Sequence, residues 1–298
     1  MRFVYAQLKG GLGNQLFIYA FAKSISISSN RKLILDIYSG FEADTKYNRK
    51  YELDKFDISA YKIINNSSTL YSKKFLKKFS ILCNKFIPKK FKFYIFESNL
   101  IHNSKLGERD SKHTHLYIDG YWQSEKYFEN HSEDIFDDFK SFLNDKNDLN
   151  KITSLMNENS VSVHVRKFVD HSSKLNNNLD LKYYKEAFKI IENKINQPIY
   201  YIFSEPGAIK EEIRNFFISK NCVFICDLYK NLTSDIDFFL MAKCRHHVIA
   251  NSTFSWWSAW IGEKSVSKSI VIAPKIFIDD GPASWGFEGQ IPDRWHKC

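Results

Sequence analysis

A histidine, an arginine and a lysine stand together in His164-Val165-Arg166-Lys167, where a short apolar run, residues 161–165, comes to its end. Two adjacent fixed cations suit a pyrophosphate whose charge grows as it leaves: arginine can grip its oxygens in bidentate fashion, and lysine acts as a point charge. A surface arginine–aspartate pair and a buried, hydrogen-bonded histidine would use the same residues. Asn251, Ser252, Thr253 and Ser255 put four small polar side chains within five positions, between an apolar run at 247–250 and an aromatic stretch with Trp256, Trp257 and Trp260. A helix cap accounts for one of them, whereas hydroxyls and free N–H groups at a helix start make a phosphate site. The tryptophans, at helical spacing, read as core. Ser204-Glu205-Pro206-Gly207 follows another apolar run; the carboxylate suits the N–H edge of guanine and the hydroxyl suits ribose or phosphate, while capping of a helix from Ala208 onwards explains both almost as well. Near the amino terminus, Gly10-Gly11-Leu12-Gly13-Asn14-Gln15 lets backbone approach a ligand and adds two amides that a tight turn does not need. Its spacing is not the dinucleotide fingerprint, and Asp36 comes early for a ribose partner.

These residues need strand ends to hold them. Alternation over 3–8, the glycine turn, helical spacing of Leu16, Tyr19, Ala20 and Lys23 within 14–28, and a second run at 32–36 read as strand, loop, helix, strand. In the second half, runs at 161–165, 199–203, 223–226, 247–250 and 270–273 alternate with helical stretches such as 181–194 and 209–220. This pattern predicts an α/β chain with a doubly wound parallel sheet, whose ligands sit at the carboxyl ends of the strands. The polar stretch 132–159 reads as a helix and a connection, with a boundary near 155, giving an N-terminal domain 1–155 and a C-terminal domain 156–298. Between 71 and 96, Phe75, Phe79, Leu82 and Phe86 fall three and four apart among lysines until Pro88 interrupts. That is a basic amphipathic helix, packed on the core with its lysines in water or laid on a membrane surface.

With 44% apolar and 16% aromatic residues the chain is globular. A net charge of +9 favours an anionic partner: nucleic acid, an acidic membrane surface or a phosphate-bearing small molecule. No nucleic-acid-binding module is present, so the first is set aside. Five scattered cysteines fit reduced thiols in the cytoplasm. Cys222 and Cys226 have the spacing of half a zinc site, with Cys244, His246 and His247 the nearest further candidates, but no second pair follows at finger-like spacing and no metal is expected. Lys9 and the glycines split the amino-terminal apolar stretch before a signal region can form, and no run reaches the ~18 apolar residues of a membrane span. Any membrane contact is therefore peripheral.

GGLGNQLF at 10–17, DGYWQSEKYF at 119–128, HVRK at 164–167, YIFSE at 201–205 and ANSTFSWWSAWIG at 250–262 occur in that order across nearly the whole chain. Together they resemble the alpha-1,2-fucosyltransferases of glycosyltransferase family 11. The resemblance implies a GT-B-like fold, two Rossmann-like lobes with a cleft between them, the acceptor on the first and GDP-fucose mainly on the second. It implies inverting, metal-independent transfer of L-fucose to a glycan hydroxyl, O2 of a galactose, in surface polysaccharide built on a lipid carrier at the cytoplasmic face. Arg166 would then hold the β-phosphate, His164 would lie against the nucleotide, and Glu205 would stand near the base. Ser252, Thr253 and Ser255 would contact the diphosphate, with Asn251 and Ser204 beside them, and Gly11, Gly13, Asn14 and Gln15 would form the facing wall. The family's usual His-x-Arg-Arg-Gly-Asp is altered: Lys167, Phe168 and Val169 replace its last three residues, and Asp170 comes one position late. Asp170 is the first candidate for a general base, with Asp36 second. A non-catalytic glycan- or membrane-binding protein and a transferase of another nucleotide sugar are the alternatives.

Overall fold

The computed structural model describes residues 1–42, 44–45, 47–63, 82, 93–97, 113–144, 149–167, 178–228, 233–279 and 284–298. They form two compact units, Met1–Ser141 with Phe287–Pro292, and Phe142–Gly286 with Asp293–Cys298. The division falls earlier than the residue-155 boundary read from composition, because side-chain packing and not polarity sets it. Phe142 packs on Phe238 and Phe239, with ring centroids 5.6 and 6.1 Å away, and the Leu155 carbonyl accepts from the Tyr201 hydroxyl.

In unit 1 the opening follows the sequence pattern: β1 (Phe3–Gln7), α1 (Leu12–Ser28) and β2 (Lys32–Asp36). Val4 and Ala6 of β1 are fully buried while Phe3 and Tyr5 are half-buried, the signature of alternation across a strand. Residues Leu16 to Ala22 of α1 are all 0% exposed, so this helix is apolar on every side and not amphipathic. Three strands escaped the sequence reading: β3 (Tyr61–Ile63), β4 (Tyr94–Phe96) and β5 (His115–Asp119). The first two have three residues each, too few to show a period. The sheet is parallel with order β3-β2-β1-β5-β4. Successive strands run outward from β1 on one side, then resume on the other, so the order reverses between β1 and β5.

Unit 2 holds β6 (Ser160–Val165), α2 (Leu181–Glu192), β7 (Ile199–Ser204), α3 (Glu211–Ile218), β8 (Cys222–Phe224), α4 (Ser234–Lys243), β9 (His246–Val248), α5 (Thr253–Ser265), β10 (Val271–Ala273) and β11 (His296–Lys297). All its strands are parallel, in the order β11-β10-β9-β6-β7-β8. The reversal here lies between β6 and β9. Five of these strands match the expected runs. β11 is a sixth strand, and Ile225 and Cys226 leave the 223–226 run for a helical turn, because pairing with β7 stops at Phe224. Val161, Val163 and Val248 fill the core with Tyr184, Phe188 and Ile191 of α2 and Phe217 of α3. Trp256, Trp257 and Trp260 of α5 are fully buried, as core, and Trp256 meets Trp295 at 5.3 Å.

Within the basic stretch at 71–96 the described residues are Leu82, which is exposed, and 93–96, where β4 forms; the amphipathic-helix expectation otherwise lies outside the described residues. No described helix is long and apolar enough to cross a membrane.

Candidate functional site

In unit 2 every sequence-predicted residue that is described lies at the carboxyl ends of β9, β6 and β7, three adjacent strands that include the reversal of strand order. An open α/β sheet leaves its ligand crevice at that place. His164, next to last in β6, is 6% exposed, and its Nδ1 has no hydrogen-bond partner among the described residues. Its ring lies 5.8 Å from that of Phe254, and its carbonyl accepts from Tyr184. Burial first, and the charge of Arg166 second, push its pKa down to about 3, so the imidazole is neutral at physiological pH. A buried ring nitrogen that lacks a partner, at a strand end, is the kind of polar atom that a ligand satisfies.

Arg166 follows β6 and donates to Glu205, which follows β7, at 2.5 Å. The register Val165↔Ser204 brings the two together. The partner is a glutamate from the next strand and not the aspartate considered from the sequence, and the pair fixes the guanidinium along the edge of the sheet. Lys167 is exposed, and Ser204 is half-buried with its hydroxyl bonded to the Cys226 thiol.

Beyond β9 the polar residues divide by role. Ser252 caps α5, its hydroxyl accepting from the Phe254 N–H at 3.3 Å. The first turn of α5 has no acidic side chain, which leaves its positive end uncompensated. Thr253 is half-buried at this start and Asn251 is 4% exposed. Ser255 is different: fully buried, it donates to the Ala250 and Ser252 carbonyls at 3.3 and 3.2 Å, bracing the turn from within.

Sequence reasoning missed the pin beneath this edge. His247 of β9 and Ser162 of β6, register partners, are hydrogen-bonded at 2.9 Å in the core. A Cβ on Gly262 of α5 would lie 2.7 Å from that imidazole, so α5 can reach β9 only with glycine there. Tyr183 of α2 donates to the Ile249 and Ile272 carbonyls, tying the ends of β9 and β10.

In unit 1 the glycine loop and the DGYWQS run leave β1 and β5, the strands flanking the other reversal. Gly10 takes φ +76°, and Gly11 precedes α1 without a side-chain cap. Gly13 is buried in the first turn of α1. Gln15 is fully buried and fully occupied: its amide donates to the Gly10 and Lys50 carbonyls at 2.9 and 2.8 Å, and its oxygen accepts from the Glu52 N–H at 2.9 Å. It is a clamp between the glycine turn and a later loop, a role that spacing along the chain did not signal. Asn14 accepts from Gln123 at 2.9 Å. Lys9, after β1, pairs with the buried Asp119 at the end of the neighbouring β5 at 2.7 Å, and the Tyr94 hydroxyl donates to the same carboxylate. The Arg49 guanidinium carbon lies 3.7 Å from where a Gly11 Cβ would be.

Asp36 does not stand as a base. Its carboxylate accepts from the Tyr38 and Ser39 N–H groups and from the Ser39 hydroxyl, at 3.0, 2.8 and 2.6 Å, and it is 2% exposed. Asp170, Phe168 and Val169 lie outside the described residues. Among the described residues no three His, Cys, Asp or Glu side chains come together as a metal site would require.

An Escherichia coli alpha-1,2-colitosyltransferase is 30% identical to this chain over 99% of its length and 98% of the relative's. An O-antigen biosynthesis glycosyltransferase, WbnK, also of Escherichia coli, is 29% identical over 91% of this chain and 94% of its own. Among solved structures, a point mutant of Arabidopsis thaliana FUT1 in complex with GDP superposes with a TM-score of 0.52 at 10% identity, over 98% of this chain and 74% of that one, which shows the shared fold. The model of glycosyl transferase family 11 matches residues 3–290, and the chain is a glycosyltransferase of that family.

Proposed function

We propose that the chain transfers L-fucose, with inversion, from GDP-fucose to a glycan hydroxyl, O2 of a galactose, in the assembly of a surface polysaccharide. One observation carries the donor side: a neutral, buried His164 with an unfilled ring nitrogen, beside Arg166 and the acid-free start of α5, at the switch point of the unit 2 sheet. In the reaction the bond from the anomeric carbon to the β-phosphate oxygen breaks, the acceptor oxygen bonds to that carbon from the opposite side, and GDP leaves with an added negative charge. Arg166 and the positive start of α5 at Thr253 stabilise this charge, with the Ser252 hydroxyl beside it and Lys167 as a second cation. Glu205 holds the guanidinium in place and faces the base, while His164, Ser204 and Asn251 contact the nucleotide. The same cations do the work a divalent ion does elsewhere, so transfer proceeds in EDTA. In unit 1, Gly11, Gly13 and Asn14 meet the substrates with backbone and amide, while Gln15 and, in unit 2, Ser255 shape the loops they belong to. Asp170 takes the acceptor proton. The alpha-1,2 linkage draws support from the colitosyl relative and the polysaccharide setting from the O-antigen relative; the acceptor of this reading is lipid-linked, at the inner membrane face.

The test is transfer and GDP release from GDP-fucose over a panel of galactosides with EDTA present, for the wild type and Arg166→Ala. Galactoside-dependent release that falls ~10²–10³-fold in the variant is expected. Failure of the folded protein to bind GDP or GDP-fucose overturns the donor reading, and unchanged turnover in Asp170→Asn removes the base. The 30%-identical relative favours a second reading, GDP-colitose as donor. Colitose lacks the 3-hydroxyl of fucose, and a site that hydrogen-bonds this group rejects the deoxy sugar steeply. Running both donors side by side decides between them.

A further inference from the structure

The run from Asp119 to Ser124 is tied down almost residue by residue, and the ties converge on one carboxylate. Glu97, directly after β4, accepts the Tyr121 N–H on Oε2 at 2.6 Å and the Trp122 N–H on Oε1 at 3.1 Å. Trp122 has φ +56°, a left-handed backbone that a bulky residue rarely adopts unless its surroundings impose it. Its ring, 0% exposed, packs on Phe21 of α1 at 4.3 Å, and its indole Nε1 has no partner among the described residues. Gly120 closes the turn, since a Cβ there would lie 2.5 Å from the Glu97 Cβ and 2.8 Å from both Glu97 Oε2 and Trp122 Cε2. The next residue, Gln123, donates to Asn14 at 2.9 Å and accepts from Gln290 at 3.4 Å, and Ser124 donates to the Gly289 carbonyl.

We infer that Glu97 is a positioning residue for turnover: its carboxylate holds the Tyr121–Trp122 turn and, through Gln123 and Asn14, sets the glycine loop that follows β1. The inference rests on the reading given above, in which that loop meets the substrates of a sugar transfer. Two N–H groups require two acceptors, which an ionised carboxylate supplies. Glutamine offers one, and its amide opposes the other N–H whichever way it is turned. Among the described residues the titratable groups around Glu97 are Lys9 after β1, Asp119 of β5 and Tyr121. Burial, aided by Asp119 and opposed by the two N–H groups and Lys9, raises the Glu97 pKa above the ordinary glutamate value. Protonating this carboxylate removes one of its two acceptors.

The experiment compares the full chain with Glu97→Gln, varying the galactoside at saturating GDP-fucose. The expected result is a loss of about 10- to 100-fold in acceptor kcat/KM, the size that a small misplacement of reacting groups produces. The GDP dissociation constant stays unchanged, the melting temperature falls by the modest amount that one unsatisfied N–H produces, and the fall in rate of the wild type on acidification is absent from the variant. Gln123→Met should give a similar loss, and the double variant little more, because both act on one chain of contacts. Wild-type rates in Glu97→Gln, additive losses, or GDP affinity falling in step with the rate would each overturn the inference. The indole N–H resonance of Trp122, assigned with Trp122→Phe, gives a reading that needs no substrate. It should move with pH in the wild type and stay fixed in Glu97→Gln. If the wild type transfers nothing from either donor, the functional reading fails while this resonance still decides on Glu97; a resonance that ignores pH in the wild type rejects the latch even if the variant does not fold.

Discussion

His164 and His247 sit three strands apart in sequence yet on neighbouring strands of one sheet, and they share a state, since burial pushes each pKa from 6.5 down to about 3. A histidine held neutral in the fold but free to protonate when unfolded contributes stability that is full above about pH 6.5 and is lost as pH falls toward the folded value. Below pH 6.5 each should cost ~1.4 kcal/mol per pH unit, and denaturant unfolding of His247→Asn against the wild type should show a shallower acid slope. Equal slopes would mean that the imidazole protonates inside the fold. At this scale the sequence was legible where residue types sufficed: Arg166 beside His164, and hydroxyls before the tryptophans. It was silent where a partner decides the role. Gln15 and Asn14 are adjacent amides, but the backbone that occupies Gln15 comes from as far as 37 residues downstream, and Lys9 finds its carboxylate 110 residues away.

Among the elements, the junctions after β1 and β9 show how short motifs turn a strand into a helix. Gly10 at φ +76° is one place where glycine is required, because an added Cβ would also lie 2.8 Å from the Asn14 amide nitrogen. Gly10→Ala should destabilise unit 1 by ~1–2 kcal/mol from the left-handed backbone alone and displace Asn14. Ser252→Ala should remove ~1 kcal/mol of capping, and GDP affinity should fall with it if the start of α5 binds phosphate. Calorimetry separates the two effects: a lower melting temperature with unchanged GDP affinity would leave Ser252 as a cap alone. Strand alternation with helices was legible for β1, β2 and most of unit 2, where runs are long enough to carry a period. β3, β4 and β11, of two or three residues, exist through pairing with neighbours that no local pattern announces.

On the scale of the whole chain, both sheets place their glycine, cation and hydroxyl clusters at reversals of strand order, β1 to β5 and β6 to β9. The parallel architecture and its strand-end sites followed from alternation of elements, whereas the division between units did not, since aromatic packing at Phe142 overrides the polar stretch that follows it. Unit 1 also includes Phe287–Pro292, which supplies Gly289 to Ser124 and Gln290 to Gln123. A fragment of residues 1–141 should therefore melt earlier than one with 287–292 joined by a linker, by thermal unfolding followed with circular dichroism. Equal melting points would show the return segment to be dispensable. For recombination between relatives the consequence is practical. A crossover placed at one point in the gene inherits unit 1 without its closing strap, so exchanging that unit between two such enzymes calls for a graft in two pieces.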